Sequence, residues 1–138
     1  MKRLMAMILA LALLLSVCGC SDDTPEGLSK GTFKQGKAAL EVMDAYLAGE
    51  TAAEDTLVKL EEVAVALEAD GAALEAKLRD ASGSKYGELM NQSMNCAVIT
   101  MMVVAFASDV EEAPDAPEGT NCQRARDEVA KLVVVAEE

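Results

Sequence analysis

The side chains in this sequence that could carry chemistry are sulfurs and carboxylates: 4 cysteines, 8 methionines and 24 Asp and Glu, with no histidine at all. Lack of histidine removes the commonest general base, haem ligand and zinc ligand together. Cys18 and Cys20 close an apolar amino-terminal run, whereas Cys96 and Cys122 lie in the body of the chain. An exported pair of thiols in an oxidising compartment usually bridges, so a Cys96–Cys122 disulfide is expected. A tight helical hairpin centred near Asp115 would put Cys122 about 18 Å from Cys96 along the axis, and a disulfide spans at most ~7 Å between Cα atoms. The bond therefore requires the chain after Ala107 to run back along the bundle, so that the last helix starts beside the middle of the third. The rival arrangement is two buried free thiols.

Met90, Met94, Met101 and Met102 flank Cys96, and thioether with thiolate is a ligand set for Cu(I). Flexible core filling explains the same residues. No metal site or cofactor is assigned on this basis, and a small-ligand or Cu(I) carrier with a Met-lined interior stands as the second functional expectation. Ser82-Gly83-Ser84-Lys85 spells the Ser-x-x-Lys of penicillin-recognising enzymes, but their Ser-Asp-Asn and Lys-Thr-Gly are missing, and a turn between helices is the expected reading. There is no Cys-x-x-Cys-His, no Gly-x-Ser-x-Gly and no phosphate loop. The acids Glu61-Glu62, Glu111-Glu112 and Asp109 to Glu118 lack the order of a calcium loop and read as solvated. No catalytic residue is predicted, and the chain is expected not to be an enzyme.

Lys2 and Arg3 precede an apolar run from Leu4 to Val17 in which Ser16 is the only polar residue. The run is too short to span ~30 Å of hydrocarbon, which takes about 20 residues, and it suits a cleavable export signal. Leu15-Ser16-Val17-Cys18-Gly19-Cys20 resembles the lipobox of bacterial lipoproteins, with Val17, Cys18 and Gly19 at the three positions before the invariant cysteine. The departure is Cys18, where that family prefers Ser, Ala or Thr; taking Cys18 as the acylated residue would set the bulkier Val17 against the cut. The resemblance implies that the Cys20 thiol receives a diacylglycerol before residues 1–19 are removed. It also implies a lipid-anchored place in the cell envelope. Asp after the lipid cysteine favours inner-membrane retention in enteric members, and Ser21 stands there, so the outer membrane is expected where the source has two membranes.

The elements beyond the anchor follow from spacing. Residues 20–31 are the lipidated amino terminus and a polar tether with a Pro and two Gly; residues 32–138 are the expected domain. Phe33, Gly36, Leu40, Met43 and Leu47 recur in steps of three and four, predicting a first helix that stops near Gly49. Thr51-Ala52-Ala53-Glu54 spells a capping box, and Leu57, Leu60, Ala64, Leu67, Gly71, Leu74 and Leu78 predict a second helix to about Asp80. The third segment has no charge between Glu88 and Asp109. A helix that is apolar nearly all round is expected to be enclosed by others, and Asn91, Gln92, Ser93 and Asn95 cut its fully apolar part too short to cross a membrane. Its β-branched Val98, Ile99, Val103 and Val104 leave a buried strand as the minor alternative. After an acidic, proline-containing loop, Thr120 to Gln123 offers another capping box, and Cys122, Ala125, Val129, Leu132 and Ala136 make the last stripe. An all-α fold, a small bundle of about four helices, is the simplest way to bury these stripes.

Charge bounds the partners. All acids follow the leader, so the mature chain carries ten basic against 24 acidic residues, a net charge of −14. Such a surface repels nucleic acid and anionic headgroups and favours a cationic or polar partner. With aromatics only 3% of the chain and no Trp, stacking sites for bases or sugars are not expected. The functional expectation is a membrane-anchored envelope lipoprotein whose helical domain binds or supports another envelope protein, the membrane being met through the lipid on Cys20.

Overall fold

The computed structural model describes residues 24–134. They form α1 (Lys30–Leu47), α2 (Ala53–Arg79), α3 (Gly83–Glu112) and α4 (Cys122–Val133), with a short 3-10 turn at Pro117–Gly119 ahead of α4. No strand occurs among the described residues, so the fold is the all-α four-helix bundle that the spacing predicts. The leader and Cys20 lie outside the described residues. Each helix packs on its chain neighbours, and α4 returns to close on α1. Short connections between long helices force this antiparallel order.

Each helix starts where its local chemistry allows. The Ser29 hydroxyl accepts the Thr32 amide at 3.1 Å, which caps α1 two residues earlier than the apolar spacing alone suggests. The expected Thr51 box does not form: Ala52 is the cap of α2, and the Thr51 hydroxyl pairs instead with that of Thr56. The Thr56 hydroxyl in turn donates to the Ala52 carbonyl at 2.8 Å, which lets a polar side chain be fully buried. At α4, Thr120 does supply an oxygen to the Cys122 amide at 3.2 Å, but Gln123 reaches forward to Asp127 rather than back.

The core is built from Leu40 and Met43 of α1, Leu60 and Leu67 of α2, Ile99, Val103 and Phe106 of α3, and Val129 and Val133 of α4. Tyr46 meets Phe106 edge to face at 5.9 Å between centroids, and its hydroxyl donates to the Pro114 carbonyl at 3.0 Å, fastening the loop after α3 to α1. Arg126 of α4 grips Asp44 of α1 through two of its nitrogens, at 2.7 and 3.2 Å. This fork closes the seam between first and last helices.

Two helical glycines differ in what surrounds them. A Cβ at Gly36 would lie 2.6 Å from Val133 Cγ2, so α1 and α4 touch only because no side chain intervenes. A Cβ at Gly71 would meet nothing closer than Cys96 Sγ at 3.8 Å, an ordinary contact. Gly36→Ala is therefore expected to cost about 1–3 kcal/mol through overpacking. Gly71→Ala should instead stabilise by about 1 kcal/mol, the helix-propensity difference alone. Paired urea titrations with shifts of the same sign would contradict this reading of the α1–α4 contact.

α2 and α3, at 27 and 30 residues, outrun the 12-residue α4. The chain ahead of α1 fills the space that α4 leaves. Leu28 is buried there with Leu74 and Leu89, and Asn95 Nδ2 donates to the Gly27 carbonyl at 2.8 Å. Gly27 is required at this landing: its φ is +86°, and a Cβ would lie 2.8 Å from Asn91 Nδ2. Part of what the composition reads as a tether is thus packed on the body, because one apolar residue, Leu28, has a socket.

Candidate functional site

The predicted disulfide is not formed. Cys96 and Cys122 are both free and buried. The reason is the length of α3, which continues to Glu112 instead of yielding to a returning loop after Ala107. Cys122 Sγ consequently sits 4.0 Å from the Phe106 carbonyl, while Cys96 Sγ donates to the Leu67 carbonyl at 3.4 Å on the opposite seam. Ten helical residues between Phe106 and Cys96 amount to ~15 Å of axis, well beyond a disulfide. Burial pushes the Cys122 thiol above its ordinary pKa, Thr120 lowers it in part, and the nearby Asp109 raises it further. A buried thiol of raised pKa is a poor nucleophile. Reductant should leave the urea midpoint unchanged, and iodoacetamide should label neither thiol until the chain unfolds; fast labelling of native protein would contradict this placement.

The methionines do not line the interior either. Met94 and Met101 are 61% and 57% exposed, and Met90 and Met102 only partly buried. Among the described residues, the fully buried methionine is Met43, on α1 and away from Cys96 in sequence. No group of three or more His, Cys, Asp or Glu that could hold a metal ion occurs among the described residues. The Ser-x-x-Lys spelling is not a turn but the start of α3: Ser82 is the residue before the helix, and Gly83 to Lys85 form its first turn, where Lys85 pairs with Glu88 at 3.2 Å.

Those exposed methionines belong to the most unusual surface of the bundle. Among the described residues, α3 is the one helix long and apolar enough to cross a membrane by length and composition, yet only 28% of its most apolar window is buried inside the fold. The helix is not enclosed, as its composition predicts, but two-faced. Leu89, Cys96, Ile99, Val103, Phe106 and Val110 turn inward. Met94, Ala97, Met101 and Val104 recur in steps of three and four on the solvent side, with Val104 54% exposed.

Along the seam with α2 this stripe borders two open grooves. One, of about 690 Å³, is lined by Leu57, Ala64, Val104 and Ala107; the next, of about 300 Å³, by Gly71, Ala97, Thr100 and Met101. Their α2 edge is a row of carboxylates: Glu54 and Glu61 on the first groove, Glu68 and Glu75 on the second. The four glutamates stand seven residues apart and are all exposed. The signal was present in the sequence as a charge-free stretch too hydrophobic for one buried face, beside a seven-residue glutamate repeat.

A third cleft, about 790 Å³ and more polar, lies where the chain enters α1, between Leu28, Asp70, Leu74, Lys77 and Gln92. Burial raises the Asp70 carboxyl above its ordinary pKa. The fold and surface define a class, an all-α bundle with an open apolar seam between α2 and α3. Comparison of the chain with models of protein families, with curated proteins and with solved structures finds no match.

Proposed function

We propose that this chain is a lipoprotein of the bacterial cell envelope, held to a membrane through lipid on Cys20, whose helical body is a non-catalytic module that binds or supports another envelope component. The observation that carries the binding role is the solvent-facing apolar stripe of α3. Scattered exposed apolar residues are ordinary, but a contiguous row beside two grooves marks an interaction surface. The anchor rests on the leader and the lipobox-like Leu15 to Cys20. With the resemblance's Ser21, it supports the outer membrane, periplasmic face, where two membranes exist.

The geometry bears on how the body sits. Thr24, the first described residue, is four residues from Cys20, and that much chain reaches at most ~14 Å even when fully extended. With lipid on Cys20, the end of the bundle carrying Leu28 and the α2–α3 turn would be the end held near the bilayer. The α2–α3 seam then rises away from the membrane with its groove open to the side.

Fractionation combined with photo-crosslinking in intact cells tests the proposal. The full chain is expected in membranes after high-salt washing, and crosslinkers placed around the body are expected to trap a protein. Release by salt, or no protein adduct from any face, would contradict it.

A further inference from the structure

We infer that the α2–α3 seam is the docking groove for one amphipathic helix of a partner protein, a helix with an apolar stripe flanked by Lys or Arg at seven-residue intervals. This rests on the binding role proposed above and specifies its surface and partner chemistry. The argument begins with the repeat. Glu54, Glu61, Glu68 and Glu75 keep a strict seven-residue period along the open edge of α2. In paired helices that period keeps a charged side chain on the same flank of the apolar seam turn after turn, where it selects the charge on the facing helix.

All four carboxylates are exposed, and among the described residues none forms an ion pair; the bridges present involve Lys85, Arg126 and Lys131 with other acids. The row runs from Glu54 to Glu75 over about 31 Å of helix axis. The apolar stripe beside it, Met94 to Val104, covers about 15 Å, or roughly three turns. The carboxylate row matches a helix of about three heptads laid in the seam, meeting Ala97, Met101 and Val104 with its apolar positions. Methionines suit such a surface because their unbranched side chains adapt to the shape of what docks.

Charge disposes of the other occupants. A second copy would bring another chain of net charge −14 against this one, and like charges brought together across an interface oppose association. A bilayer pressed against the stripe would set the four glutamates on its headgroups, where anionic lipid repels them. A basic helix has neither fault.

The test uses the full chain in phosphatidylcholine nanodiscs and two helix-stapled peptides of three heptads, with the same Leu positions but Lys on the flanks of one and Glu on the other. Fluorescence anisotropy should show the Lys peptide bound at least tenfold more tightly than the Glu peptide, after subtraction of empty discs. The neutral pair Met101→Gln with Val104→Gln should weaken the Lys peptide at least tenfold. Glu61→Lys with Glu68→Lys and Glu75→Lys should invert the preference between peptides, while Glu41→Lys with Asp55→Lys and Glu62→Lys, of equal charge but off the seam, should not. Equal affinity for the two peptides, equal loss in the off-seam variant, or a dimer dissolved by the Met101 and Val104 changes would overturn the inference. A photo-crosslinker at Ala97 separates the levels of the argument: protein adducts from other faces but none from Ala97 refute the groove alone. No adduct from any face refutes the binding role as well.

Discussion

Phe106→Ala should lower the free energy of unfolding by about 3–5 kcal/mol, the usual cost of removing a buried aromatic ring. Phe106 is wholly buried, meets Tyr46 at 5.9 Å and sits where α1, α3 and α4 converge, its own carbonyl against the Cys122 thiol. Collapse around the cavity is restricted because both neighbouring helices are fastened, α1 by the Tyr46 hydroxyl to Pro114 and α4 by Arg126 to Asp44. Small domains have only about 5–15 kcal/mol in total, so the variant should be close to unfolding at growth temperature. Val104→Ala, two residues earlier on the same helix but 54% exposed, should stay within about 0.5 kcal/mol of the parent. Urea titration of both reads the difference. Equal losses would mean that α3 is buried all round after all.

Cys20→Ser is expected to abolish the mature form altogether. In the lipoprotein family the signal is cut only after the thiol has been acylated, so the variant should accumulate as the uncut precursor. Cys18→Ser should be processed normally, since Ser is a preferred small residue at that position in the family. Each buried methylene contributes ~0.8 kcal/mol, so about two acyl chains already make attachment nearly permanent. Immunoblots of pulse-labelled cells separate the forms by the length of the leader. A block from Cys18→Ser instead would move the anchor two residues earlier.

How much of this could be read beforehand differs from helix to helix. The body of α1 was legible, because Gly36, Leu40 and Met43 fall on one buried face and the helix stops ahead of Gly49 as expected, though its start was not. For α4 the stripe of Cys122, Ala125 and Val129 is buried as its spacing implies, but Val133 takes the place expected for Leu132, a drift of one residue at the end of the helix. For α3 the pattern could not name the buried face, since apolar residues occupy both sides and only the neighbours decide which side is covered. This is why the stripe of Met94, Met101 and Val104 had the same spelling as core. The disulfide failed for a related reason: whether Cys122 meets Cys96 or Phe106 depends on where α3 ends, and nothing in the apolar run before Asp109 marks a stop. The Ser29 cap was hidden because Leu28 and Ser29 sit within a polar, glycine-containing segment whose composition suggests a linker.

Intact mass spectrometry of the native chain purified from washed membranes tests the central claim most directly. The account predicts a polypeptide beginning at Cys20, heavier than its sequence by a diacylglycerol with or without a further acyl group, and two unmodified thiols at Cys96 and Cys122. A free thiol at Cys20, or an uncut leader on a chain that leaves the membrane in salt, would contradict it.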